Sequence, residues 1–584
     1  MSRVSDVIEK SKIMWLYLLS FLATLWAQTD RPNIIFVLTD DQRWDALGAM
    51  GINEIIETPA MDAMANEGVL FKNAYVTTSI CAASRASIYL GEHQNRTMDD
   101  RVVRFNDNLT ADRMQRTIHG LLQKDNYYTG FIGKWHLRNA NTTGFDYIVK
   151  TWHNYFNLKG ELHRDPDGTP IHLTRLMGNQ ALEFLDGVPD NRPFYLNVNT
   201  KAPHAQDNYP AGQQFPPDRD LLSLYQDVEV PMPPTADPSF FESLPPFLKT
   251  GILRTRWQKR FGIFPEKIDI NGDGIANVYD IWQYGVKDYY RLVTGIDRQL
   301  ARIRAKLKEI GQEKNTIIIL LGDNGMFLGE RGYSGKWLAH EHSIRVPLII
   351  YDPRAPERLK GQRREEIALN IDIAPTILKM AGIPVPKEVQ GHALQPLLTD
   401  QATLWRSDFF YEHPVGGDNI QRSEALVERR YKYIQYYDDP YIELYDVVND
   451  PYEMNNLAYD EKFKPKLDSM KTRLEEAKIS AYNDNTIKER QVPINGSVAV
   501  SNRKPMMIPS FQASMTRGTL KITSGIPDGE FQIVKLNGSV VFNGKLDDGG
   551  ETRVHLGNNL TTGIYILKIQ GTRNSRKLLI AQNL

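Results

Sequence analysis

The stretch Asn33-Ile34-Ile35-Phe36-Val37-Leu38-Thr39-Asp40-Asp41 decides how this chain is read. Its first seven residues carry no charge and are rich in branched side chains. A short continuous apolar run of this kind predicts a strand buried on both faces, as in a parallel sheet covered by helices. A second run, Thr316-Ile317-Ile318-Ile319-Leu320-Leu321, has the same character and ends at Gly322-Asp323-Asn324-Gly325. In open α/β sheets, ligands sit beyond the carboxyl ends of the strands. Two such strands lying close together would aim Asp40, Asp41, Asp323 and Asn324 at one place. Oxygen donors without sulfur or imidazole suit a hard cation, Ca2+ or Mg2+. One Asp or Asn pair after a strand need only make a turn. Two pairs in matching positions are more telling.

Basic residues follow other strand-like runs. Gly133-Lys134-Trp135-His136 comes after a helical stretch ending near Asp125, Lys201-Ala202-Pro203-His204 follows the run 194–198, and Gly335-Lys336-Trp337 comes soon after Asp323. A lone loop Lys or His is usually just solvated. Several of them beside a metal suggest a cationic pocket for a tetrahedral oxyanion, sulfate or phosphate. The net charge of −1 gives no sign of nucleic-acid or polyanion binding, so an anionic substrate must be met locally. With 41% apolar residues in 584, the chain reads as ordinary globular protein of two to four domains.

The chain has one cysteine, Cys81, in the run Ser79-Ile80-Cys81-Ala82-Ala83-Ser84-Arg85, so no intramolecular disulfide forms. Residues 13–27 are an apolar run preceded by Lys10 and Lys12, the pattern of a secretory signal peptide over residues 1–27. It is too short for a comfortable membrane span, and no other stretch could supply one. The protein is therefore expected to be exported, secreted or at the cell surface, with the periplasm as the alternative. A free thiol there is a liability unless it is used or modified.

Taken together, these stretches resemble a type I, formylglycine-dependent sulfatase of the alkaline-phosphatase-like superfamily. The matching segments also include Arg31-Pro32-Asn33, Arg345-Val346-Pro347, Asp372-Ile373-Ala374-Pro375-Thr376, Ala381-Gly382-Ile383-Pro384 and Leu444-Tyr445-Asp446, spanning about residues 31–480. The resemblance implies an α/β fold with a mostly parallel sheet between helices and a small antiparallel C-terminal subdomain. It implies that a sulfatase-maturating enzyme oxidises Cys81 to formylglycine (3-oxoalanine). A hydroxyl of the hydrated aldehyde would attack the sulfur of a sulfate ester. Loss of the second hydroxyl's proton would then expel sulfate. Asp40, Asp41, Asp323 and Asn324, with the modified Cys81, would hold Ca2+. Arg85 would steady the nucleophile, Lys134, His204 and Lys336 would bind sulfate, and His136 would be the base that resolves the intermediate. His204 would also protonate the leaving alcohol. Ala83 stands where the commoner signature has Pro, a form associated with radical-type anaerobic maturases.

On this reading the catalytic α/β domain covers residues 31–400, its C-terminal subdomain 401–480, a linker 481–510 and a separate β-sandwich 511–584. The sandwich resembles a type IX secretion sorting domain, whose machinery would then be a partner. Within the Pro- and aromatic-rich insertion, Asp269, Asn271, Asp273, Ile275, Asn277 and Asp280 fit an EF-hand loop register, a second, structural Ca2+ site. His413 is expected at a surface, at the substrate rim or elsewhere. The expected function is removal of sulfate from a carbohydrate, such as oligosaccharides of an algal polysaccharide. The alternatives are a phosphonate monoester or phosphodiester hydrolase, and a non-catalytic glycan-binding surface protein.

Overall fold

The computed structural model describes residues 31–97, 109–137, 144–151, 154–158, 161–165, 167–210, 212–261, 278–416, 420–483 and 490–494, and strands between 511 and 580. The signal peptide expected over 1–27 lies outside the described residues. So do Asp269, Asn271, Asp273, Ile275 and Asn277 of the EF-hand-like loop, while Asp280 is described only as helical backbone.

The centre is an eight-stranded sheet. Its strands are β1 (Asn33–Asp40), β2 (Val69–Tyr75), β3 (Tyr128–Gly133), β4 (Tyr147–Lys150), β5 (Phe194–Pro203), β6 (Thr316–Gly322), β7 (Leu348–Tyr351) and β8 (Gln362–Leu369). They lie in the order β8-β2-β7-β6-β1-β5-β3-β4. All neighbours are parallel except β7, which runs against both β6 and β2. The two apolar runs are thus adjacent central strands, with Asn33 opposite Thr316 and Thr39 opposite Gly322.

Alternation along each strand feeds two cores. Ile34, Phe36, Leu38, Ile317, Ile319 and Leu321 pack on one face with α2 (Cys81–Leu90), α3 (Ile118–Lys124) and α6 (Ile373–Met380). Ile35, Val37, Ile318 and Leu320 pack on the other with α1 (Pro59–Glu67), α4 (Leu173–Asp186) and α5 (Val278–Glu309). This burial on both sides is why the two runs are uninterrupted rather than alternating with polar residues.

A four-stranded antiparallel sheet follows, β9 (Asp408–His413), β10 (Ser423–Glu428), β11 (Tyr431–Tyr436) and β12 (Ile442–Asp446). Phe409, Tyr411, Ala425 and Val427 turn towards the first core, while Phe410, Leu426, Tyr433 and Leu444 are covered by α7 (Lys464–Asn483). In the segment that reads as linker, Gln491–Pro493 forms a strand antiparallel to Leu404–Arg406. The ladder, extended by Ser407 N–H to Arg490 O at 2.7 Å, satisfies backbone groups without a buried apolar pattern. Residues 497–584 form a second compact unit of two antiparallel sheets, one of three strands and one of four. Among the described residues, no helix is long and apolar enough to cross a membrane.

Candidate active site

Because β1 and β6 end in register, the residues after them leave the sheet at one level. Asp41 takes a left-handed backbone (φ 63°). Its N–H donates to Asp323 Oδ1 at 3.1 Å, and the Asp323 N–H donates to Thr39 O at 2.8 Å. Asp40 lies opposite Pro203 of β5, after an irregularity in the ladder. This brings the His204 turn alongside.

Cys81 is the first residue of α2, and Ile80 before it offers no side-chain cap. The open N–H groups and the positive end of the helix therefore lie at the site. Cys81 Sγ is 3.1 Å from Asp40 Oδ1, 3.7 Å from Asp41 Oδ1 and 2.6 Å from Lys336 Nζ. One turn later on the same helix face, Arg85 donates from Nε to Asp323 Oδ2 at 2.9 Å and from Nη1 to Lys134 O at 2.6 Å. Lys134 Nζ is hydrogen-bonded to Asp40 and Lys336 Nζ to Asp41. Asn324 Nδ2 donates to Asp41 Oδ1 at 2.6 Å, leaving its buried Oδ1 without a partner. His204 Nε2 lies 3.7 Å from Asp41 Oδ2, with Nδ1 2.7 Å from Ala205 O. His136, left-handed at φ 62°, is close enough to Lys134 and Asp40 to feel both charges. All ten residues singled out around the two strand ends thus fall in one region.

Ligand atoms of Asp40, Asp41, Cys81 and His204 lie within 4.8 Å of one another. Asp323 is not among these four; Arg85 and the Asp41 N–H engage its oxygens. Burial pushes all three carboxyls up, but Lys134 holds Asp40 well below the usual range and Lys336 holds Asp41 down. Asp323 rises to about 7, from burial and the neighbouring Asp40 charge. Burial and the Asp323 and Asp40 charges push the Cys81 thiol well up, so an unmodified Cys81 stays protonated and weakly nucleophilic. Burial lowers His204 to about 4, and burial with Lys134 lowers His136, leaving both rings neutral. Three crowded carboxylates and an orphaned amide oxygen are a donor set that fits a hard cation.

Sequence reasoning missed the groups that hold this geometry. Asn370 accepts from Thr77 N–H at 3.1 Å and donates to Ser84 Oγ at 3.0 Å, fixing the turn into α2. Asn199 donates to Lys134 O at 3.2 Å, and Tyr155 OH to His204 O at 2.5 Å. An amide inside the apolar run of β5 was the available signal for Asn199. Three residues after His204, Asp207 accepts from Arg260 at 2.5 Å and faces Arg256 at 3.5 Å. His413 departs from expectation: it is fully buried, because β9 packs between the main sheet and α7.

The fold is the alkaline-phosphatase-like α/β arrangement. The Sulfatase family matches residues 32–383, and the C-terminal region of N-sulphoglucosamine sulphohydrolase matches residues 329–480. An N-acetylglucosamine-6-O-sulfatase of Bacteroides thetaiotaomicron is 30% identical over 524 residues, covering 80% of this chain and 89% of its own. A solved structure in complex with its substrate D-glucosamine-2-N,6-O-disulfate is 27% identical, with a TM-score of 0.61, covering 77% of this chain and 98% of its own. The phosphonate monoester hydrolase of Agrobacterium radiobacter shares the fold at 21% identity, with a TM-score of 0.61 over 77% of this chain and 96% of its own. The chain belongs to the sulfatase family. Its activity is that of a sulfuric ester hydrolase.

Proposed function

We propose that the protein is an exported sulfatase that removes sulfate from a carbohydrate, with a 6-O-sulfated amino sugar as the substrate class. The observation that carries the reading is the setting of Cys81, first in its helix and held among Asp40, Asp41 and Lys336. The substrate class is supported by the names of the 30% identical relative and of the 27% identical structure. It favours an amino-sugar polymer over the algal polysaccharide expected from sequence.

Cys81 would be oxidised to formylglycine by a maturase, and its hydrate would supply the attacking oxygen and the second hydroxyl that releases sulfate. Asp40, Asp41, Asp323 and Asn324 would hold Ca2+, which supplies Lewis-acid polarisation there. Lys134 and Lys336 would bind sulfate oxygens, each contributing a few kcal/mol, roughly 10²–10³ in rate. An incoming anion raises the proton affinity of His204, so Nε2 can protonate the leaving alcohol. His136, kept neutral by burial and Lys134, would accept the proton that lets sulfate go. Arg85 ties Asp323 to the Lys134 loop and so fixes the spacing of these two residues.

The two antiparallel sheets of the second unit would pack as a sandwich serving type IX secretion, and the 269–280 loop would bind a structural Ca2+. Sulfate release from 6-O-sulfated N-acetylglucosamine, against alcohol release from a matched phosphonate monoester, tests the activity. Turnover of the phosphonate alone would overturn the reading.

A further inference from the structure

We infer that Arg256 reads a second anionic substituent on the substrate, next to the sulfate that is removed. The inference rests on the sulfatase reading above and deepens it. Arg256 and Arg260 lie one turn apart on the helix Ile252–Phe261, and both reach Asp207, three residues beyond His204. Their surroundings separate their roles.

Arg260 is buried and saturated: Nε donates to Gln214 Oε1 at 2.9 Å, Nη1 to Ser334 Oγ at 2.9 Å and Nη2 to Asp207 Oδ1 at 2.5 Å. It anchors the helix to the loop carrying Lys336. Arg256 is a quarter exposed, and among the described residues its one ion pair is the long 3.5 Å approach to Asp207. Its guanidinium lies 4.9 Å from the ring centroid of Trp337. A Cβ on Gly335 would meet its Cδ at 3.6 Å. Arg256 therefore contacts Trp337 and runs close beside Gly335, the residues on both sides of Lys336, the lysine that contacts Cys81 Sγ.

Among the described residues, two guanidiniums thus share the one carboxylate of Asp207. Stacking on Trp337 pre-orients the planar fork, which matches the paired oxygens of a sulfate or carboxylate. A substrate with one sulfate already meets Lys134, Lys336 and His204 and leaves Arg256 unused. One with a second anionic group beside the first engages it.

The test uses the full-length enzyme, Arg256→Ala and Arg256→Lys. The three substrates are 6-O-sulfated N-acetylglucosamine, the same sugar N-sulfated instead of acetylated, and the acetylated sugar linked to a uronic acid. The readout is the ratio of kcat/KM between each doubly charged substrate and the singly charged one, within one protein. Taking this ratio cancels any general disturbance of the Lys336 loop. We expect Arg256→Ala to lower the ratio about tenfold or more, with partial recovery in Arg256→Lys. The affected substrate identifies sulfate or carboxylate as the group read. An unchanged ratio for both would overturn the inference. Absence of sulfate release from all three by the unsubstituted enzyme would instead overturn the underlying reading, and the inference with it.

Discussion

Removal of Asp372 should damage the first unit severely. This residue sits where β8 turns into α6, and its side chain and that of Arg406 are both wholly buried. Oδ2 accepts from the Leu369 N–H at 2.8 Å and Arg406 Nη1 at 2.6 Å. Oδ1 accepts from the His392 N–H at 2.8 Å and Arg406 Nη2 at 2.9 Å. Asp372→Ala removes both charge-assisted hydrogen bonds from a buried guanidinium, a cost of about 3–5 kcal/mol. It also orphans two backbone donors, each worth about 1–3 kcal/mol, though water entry will relieve part of this. A net loss of about 4 kcal/mol or more is expected. All nine tryptophans precede residue 497, so tryptophan fluorescence during urea unfolding reports on the first unit alone. With a slope of roughly 4 kcal/mol/M for a unit of this size, the midpoint should fall by about 1 M. The double variant Asp372→Leu/Arg406→Met should recover part of that loss, because the buried guanidinium is removed together with the carboxylate it faces. An Asp372→Ala midpoint within about 0.2 M of the parent would refute the reasoning.

Three other predictions rest on separate observations. Burial raises Glu412 to about 7 in the folded chain, although it accepts from Tyr482 OH at 2.7 Å. An acid raised on folding binds its proton more tightly in the native state. Its contribution is present below pH about 4.5 and is lost as pH rises through about 7, roughly 3 kcal/mol at most. Glu412→Gln should flatten that part of the stability–pH curve; an unaltered slope would contradict the assignment. Asp297 of α5 accepts from the first N–H groups of α1, Ala60 at 3.1 Å and Met61 at 2.7 Å. Asp297→Ala should therefore cost about 1–2 kcal/mol in the same urea assay, and no loss would exclude this cap. Treatment with a chelator should abolish sulfate release and lower the melting temperature, with Ca2+ restoring both. Full activity after metal removal, verified by elemental analysis, would refute the cation site.

The central fold was legible because β1 and β6 are buried on both faces, and burial on both faces writes an uninterrupted apolar run. The ends of those runs also disclosed Asp40, Asp41, Asp323 and Asn324, since the chain must turn there and the turn carries the chemistry. β8 was not legible: Gln362-Arg363-Arg364-Glu365-Glu366 is charged because it forms the edge of the sheet, where side chains reach solvent. The strand Gln491–Pro493 escaped for a related reason, since its pairing rests on backbone hydrogen bonds and its side chains are exposed. The rim of Asp207, Arg256 and Arg260 joins residues about fifty apart through an irregular, Pro-rich insertion. No periodicity links them, so only the fold brings them together. His413 misled because a histidine after a glutamate reads as surface, whereas β9 is sandwiched between two packed layers.

The account turns on what Cys81 is in the working enzyme. The mass of the peptide spanning residues 79–85, taken from protein that releases sulfate, measures this directly. The account predicts an aldehyde or its hydrate in place of the thiol, with Cys81→Ser folded but unable to turn over repeatedly. An unmodified thiol in fully active protein would contradict it.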